Sequence, residues 1–111
     1  MRPSLPFFYF VFSLSLLAQT PEINWWFDMD DAAYGSAAMD DIDNDGKPEL
    51  VFSTYFNDGK VYALNAEDGS LLWEYVIGGC NDVAPLIYDV NGDGYKDVIV
   101  PSSCILKTFC L

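Results

Sequence analysis

Two stretches of the chain place oxygen-bearing side chains at alternate positions of a short loop containing glycine. The first reads Asp41-Ile-Asp43-Asn-Asp45-Gly46-Lys47-Pro-Glu49, and the second reads Asp89-Val-Asn91-Gly-Asp93-Gly94-Tyr95-Lys-Asp97. On a tightly turning backbone such positions converge their oxygens on one point, and calcium takes six to eight oxygens in flexible geometry. Glycine permits the sharp turn. Asp41, Asp43, Asp45 and Glu49 are therefore expected to ligate one calcium ion, joined by the backbone carbonyl of Lys47. Asp89, Asn91, Asp93 and Asp97 are expected to ligate a second, joined by the carbonyl of Tyr95. Magnesium fits less well, because it demands a rigid octahedron and keeps its waters. An EF-hand would need Glu at loop position 12, where this chain has Phe52 and Val100, and flanking helices, which Leu50-Val51-Phe52 and Val98-Ile99-Val100 deny. Crowded carboxylates repel one another, so the loops are expected to be poorly ordered without the ion. Turn capping is the plainer reading of the same residues. It does not call for a set of aligned oxygen-bearing positions that recurs in register.

The recurrence is a property of the whole chain. Ala37 to Phe52 align with Pro85 to Val100 at an offset of 48, with identities at Asp41/Asp89, Asp45/Asp93 and Gly46/Gly94. A fixed period of this length marks a repeat architecture. Between the copies, turn signals fall at Asn44-Asp45-Gly46, Asn57-Asp58-Gly59, Asp68-Gly69 and Gly78-Gly79. They predict antiparallel strands joined by hairpins near Ser36 to Asp40, Glu49 to Thr54, Lys60 to Asn65 and Leu71 to Ile77. In the last of these Leu71, Trp73, Tyr75 and Ile77 share one face and Leu72 and Val76 the other, so both faces carry apolar residues. A four-stranded unit with two apolar faces must lie between neighbours, which is the arrangement of β-propeller blades. The expected fold is all-β, about one and a half four-stranded antiparallel blades of an incomplete propeller. A twisted two-sheet sandwich is the alternative, but it has no reason to repeat at this period.

Five regions follow: residues 1–20 as a signal peptide, 21–35 as a lead-in, 36–83 as the first propeller repeat, 84–100 as the start of the second, and 101–111 as an atypical tail. The apolar run from Phe7 to Ala18 is 12 residues long, short of the roughly twenty needed to cross a bilayer. It fits a cleaved export signal, with an uncleaved anchor or buried helix as the alternative, and no membrane span is expected after cleavage. The chain is then secreted, periplasmic or on the cell surface, where calcium is plentiful and disulfides form. Cys80, Cys104 and Cys110 are compatible with one bridge and a leftover thiol or with three buried thiols. Across 111 residues, 17 Asp and Glu stand against 5 Lys and Arg, for a net charge of -12. Nucleic acids and anionic membranes reward clustered positive charge, so neither is an expected partner. The chain has no His, which excludes Ser-His-Asp and Cys-His catalysis within it.

The two loops, each followed directly by Glu49-Leu-Val-Phe52 or Asp97-Val-Ile-Val100, resemble the FG-GAP repeats of integrin α-chain type, also called VCBS repeats. The stretch from Lys60 to Tyr75 separately resembles a repeat of pyrroloquinoline-quinone (PQQ) type propellers, in which a tryptophan at the place of Trp73 docks one blade on the next. Glu49 stands where Asp is more usual, and Asn91 lowers the charge of the second loop. The resemblance implies a secreted calcium-binding propeller whose ions are structural, serving as a binding or adhesion scaffold for a protein or carbohydrate ligand. It implies no catalytic residue and no organic cofactor in this chain. The competing expectation is the N-terminal piece of a secreted propeller enzyme, a polysaccharide lyase or a quinoprotein dehydrogenase. Trp73 reads as packing between blades, with cofactor or sugar stacking as the alternative. Trp25-Trp26 fit either of those roles or the start of a closing strand. The tail from Pro101 lacks the glycine turn that the repeat calls for, and reads as a truncation, an out-of-frame ending or a piece assembled from several copies. Open blade faces and strand edges are expected to make the chain self-associate.

Overall fold

The computed structural model describes residues 2–3, 20–103 and 107–111. Most of the expected export signal, and Cys104, lie outside the described residues. The rest is all-β, with strands β1 (Ala38–Asp40), β2 (Glu49–Ser53), β3 (Lys60–Asn65), β4 (Leu71–Val76), β5 (Leu86–Tyr88), β6 (Asp97–Ser102) and β7 (Lys107–Cys110). They form a four-stranded sheet β1-β2-β3-β4 and a three-stranded sheet β5-β6-β7, antiparallel throughout. No helix occurs among the described residues. The two sheets are partial propeller blades, one with four strands and one with three. Strand starts repeat with the sequence: β1 at Ala38 gives way to β5 at Leu86, and β2 at Glu49 to β6 at Asp97, both at the offset of the acidic loops.

Sequence alternation decides what each face does. On one face of the first sheet Val51, Val61 and Ala63 are wholly buried, and they join Val98 and Val100 of β6, with Ile42 and Ile77, in one hydrophobic cluster. Burying one such side chain stabilises by roughly 1.5–3 kcal/mol, so this cluster is the chief term fastening sheet to sheet. The opposite face carries Phe52 and Tyr62, stacked at 5.5 Å, with Phe27 edge-on to Tyr62 at 5.2 Å. β3 is thus covered on both sides.

β4 departs from the expectation of two covered faces. Trp73 and Leu72 reach the core, but Leu71, Tyr75 and Val76 are exposed, because β4 is the outer strand and nothing among the described residues covers its far edge. Trp73 and Tyr75 instead border a cleft of about 430 Å³ between the sheets, opposite Lys96, Val98 and Leu111. The tail departs as well. Without a glycine turn it still pairs as β7, and Val98 and Leu111 exchange two backbone hydrogen bonds of 2.9 Å. Cys80 is disulfide-bonded, and Cys110 is free and exposed.

Candidate metal centre

The β1–β2 connection is the first acidic loop. Pairing of Asp40 with Glu49 closes it at its base, so loop positions 1 and 9 come side by side. Inside the loop the backbone donates to the loop's own side chains. Gly46 N–H donates to Asp41 Oδ2 (2.9 Å), Asp45 N–H to Asp43 Oδ1 (3.1 Å), Lys47 N–H to Asp45 Oδ1 (2.8 Å) and Ile42 N–H to Glu49 Oε2 (2.8 Å). Gly46 makes the bend at φ +86°, where a β-carbon is strained.

These bonds leave two oxygens over. Asp41 Oδ1 and Glu49 Oε1 are buried and accept nothing. Asp41, Asp43 and Glu49 each offer an oxygen within 4.8 Å of the others. Glu49 has no exposed surface at all. Its burial raises the carboxyl pKa above the usual value; the Ile42 N–H opposes that rise, and the charges of Asp43, Asp45 and Asp41 add to it. A buried acceptor without a partner costs about 1–3 kcal/mol, and more when charged. One hard cation between these oxygens would satisfy both and cancel the repulsion. The donor set is all oxygen and mostly anionic, which fits calcium. Asp45 lies outside the converging trio, exposed and holding the Lys47 N–H. The Lys47 side chain points to Glu67, 2.7 Å away, and takes no part in the centre.

The second loop copies the first bond for bond. Gly94 N–H donates to Asp89 Oδ2 (2.9 Å), Asp93 N–H to Asn91 Oδ1 (2.9 Å), Tyr95 N–H to Asp93 Oδ1 (2.9 Å) and Val90 N–H to Asp97 Oδ2 (2.9 Å). Donors and acceptors alike sit one repeat after their counterparts in the first loop. One feature differs. Gly92 and Asp93 N–H also donate to Asp89 Oδ1, at 2.7 and 3.2 Å, so both Asp89 oxygens are engaged. The Gly94 N–H lowers the Asp89 pKa most; burial opposes it, and the Gly92 and Asp93 N–H groups add to the lowering. Among the described residues Asp89, Asp93 and Asp97 do not draw together as Asp41, Asp43 and Glu49 do.

Two links between the loops were not visible in the sequence. Asn44 Nδ2 donates to the Gly94 carbonyl at 3.3 Å, and Lys96 pairs with Asp40 at 3.3 Å. Neither has a motif of its own, since each depends on how one sheet lies on the next. A third feature passed as a plain turn. Asp58, its side chain 2% exposed, accepts from Thr54 (2.8 Å) and Tyr62 (2.6 Å) and pairs with Lys60 (3.4 Å). It fastens the β2–β3 hairpin from within.

Residues 41–100, more than half of the chain, match the FG-GAP-like repeat. Among curated proteins none matches the chain.

Proposed function

The chain belongs to the FG-GAP-like repeat family, and from that premise we propose that it is a calcium-binding propeller-type repeat acting outside the cytoplasm as a binding or adhesion scaffold. The observation that carries the reading is the pair of buried, partnerless oxygens, Asp41 Oδ1 and Glu49 Oε1, beside Asp43. Asp41, Asp43 and Glu49 are the principal side-chain ligands of the first ion, with Asp45 and the Lys47 carbonyl completing it. Asp89, Asn91, Asp93, Asp97 and the Tyr95 carbonyl hold the second more weakly, because Asp89 must release backbone N–H groups to turn toward an ion. The ions are structural. Each neutralises an acidic loop and fixes the strands on either side, so its binding energy becomes folding energy. The apolar leader and the disulfide at Cys80 support an oxidising, extracytoplasmic location.

Titration calorimetry tests this reading. The parent chain is expected to take up calcium in a tighter and a weaker step, and Asp41→Asn with Asp43→Asn to abolish the tighter one. A parent chain that takes up no calcium contradicts the reading.

A further inference from the structure

Where the two acidic loops differ, they touch. The repeat sets Gly92 where the first loop has Asn44, and Lys96 where it has Pro48. Asn44 and Lys96 are the residues that reach from loop to loop: the Asn44 Nδ2 donates to the Gly94 carbonyl at 3.3 Å, and the Lys96 Nζ lies 3.3 Å from Asp40 Oδ2. Gly92 has no side chain and Pro48 no donor, so neither loop can return the contact it receives.

The backbone singles out Asn44 as well. It stands at φ +64°, the single non-glycine residue with positive φ among the described residues, while Gly92, its counterpart, stands at φ +76°. Glycine enters that region freely, and a side chain there costs energy, least for Asn and Asp. Glycine would therefore make the first turn as well as it makes the second. What asparagine adds is an amide, and that amide donates to the other loop.

Both contacts join positions that lie between assigned ligands. Asn44 sits between Asp43 and Asp45, and Gly94 between Asp93 and Tyr95. The peptide linking Gly94 to Tyr95 is held at both ends: its carbonyl accepts from Asn44, and its N–H donates to Asp93 Oδ1 at 2.9 Å. Lys96 sits between Tyr95 and Asp97. Its partner Asp40 accepts through the other oxygen from the Asp41 N–H, also at 2.9 Å. Each link thus runs from one set of ligands to the other.

We infer that Asn44 is a positioning residue that couples the two centres, so that filling the first tightens the second; the inference rests on the calcium reading above. Ligation by Asp43 and Asp45 fixes the Asn44 backbone between them, and the amide then has less freedom left to lose when it holds Gly94. The Gly94–Tyr95 peptide is aligned in turn, beside the Tyr95 carbonyl that serves the second ion. Coupling between binding sites is reciprocal, and one neutral hydrogen bond corresponds to a factor of about two to ten in affinity.

Asn44→Gly in the full chain tests this. The substitution keeps the positive-φ turn and changes no charge, so any electrostatic coupling between the loops is common to variant and parent. In calcium titration calorimetry the weaker step is expected to weaken about two- to tenfold, with the tighter step within about twofold of the parent. In nitrogen–proton NMR spectra of the parent, the Gly94 and Tyr95 amide signals are expected to shift with the first equivalent of calcium, together with that of Gly46. In Asn44→Gly they shift with the second equivalent instead. A weaker step left unchanged, two steps weakened alike, or parent Gly94 and Tyr95 signals that wait for the second equivalent each overturn the coupling while the calcium reading stands. A parent chain that takes up no calcium overturns both.

Discussion

Glu49→Gln separates what this residue does for folding from what it does for the ion. Glutamine keeps the side-chain volume and an oxygen for the Ile42 N–H, which Glu49 now holds at 2.8 Å. It removes a charge with no exposed surface, one oxygen of which has no partner, and brings an NH₂ group toward Asp41 and Asp43. Leaving such a group unsatisfied costs about 1–3 kcal/mol, so without calcium the variant is expected to be more stable than the parent by at least ~1 kcal/mol. With calcium the order reverses. If the site has a Kd of ~10⁻⁴ M, in the range of extracellular modules, then ~10 mM calcium is a hundredfold excess and stabilises the parent by about 2.7 kcal/mol. The variant loses most of that. At roughly 4–8 °C per kcal/mol for a domain of this size, the melting curves cross: the variant melts some ~4–8 °C higher in chelator, and the parent higher in calcium. Circular dichroism melts in the two conditions read this directly. A variant that melts below the parent in chelator, or one that keeps the parent's calcium shift, refutes the reasoning.

Three further outcomes follow from the same geometry. Asn91→Asp restores a fourth carboxylate to the second loop, and is expected to tighten the weaker calorimetric step by about tenfold, roughly 1.4 kcal/mol, while lowering stability in chelator. Gly69→Ala puts a methyl group 2.5 Å from the Trp25 ring at φ +72°; a loss of about 1–3 kcal/mol is expected, with a red shift in tryptophan emission as the indole leaves Ala66. Tyr62 has its pKa pushed up to about 12 from 10.0, chiefly by burial and then by its bond to Asp58. A hydroxyl raised in the folded state stabilises fully below pH 10 and loses that contribution as pH climbs through 12, so denaturant melts should show a fall on the order of 2 kcal/mol across that window. Tyr62→Phe should start lower and lack that part of the fall.

The acidic loops and strand order were legible because both rest on local spacing. Asp, Asn and Gly at fixed intervals set the loop's hydrogen bonds whatever surrounds it, and the turn signals Asn57-Asp58-Gly59 and Asp68-Gly69 set β3 between them at Lys60–Asn65. What escaped depends on distant chain. Glu49 reads as one more loop acid, and only the closing of β1 on β2 shows it to be wholly buried and the pivot of the centre. The two loops read alike, yet Gly92, standing where the first loop has Asn44, accompanies a backbone that turns two more N–H groups onto Asp89. β7 has no glycine turn before it, and it pairs because β6 offers an open edge. Residues 23–28, one repeat before β4, share with it a single identical residue, Trp25 with Trp73, and the match becomes plain only when the bond of Tyr55 N–H to the Ala32 carbonyl is laid beside that of Ser103 N–H to the Cys80 carbonyl.

The central claim is that the oxygens of Asp41, Asp43 and Glu49 hold calcium. A crystal grown with calcium and measured for anomalous scattering tests it most directly. The account predicts an anomalous peak with Asp41 Oδ1 and Glu49 Oε1 at about 2.3–2.6 Å, and a weaker peak or none in the second loop. Ordered water alone between those carboxylates, at calcium concentrations well above the millimolar range, would contradict it.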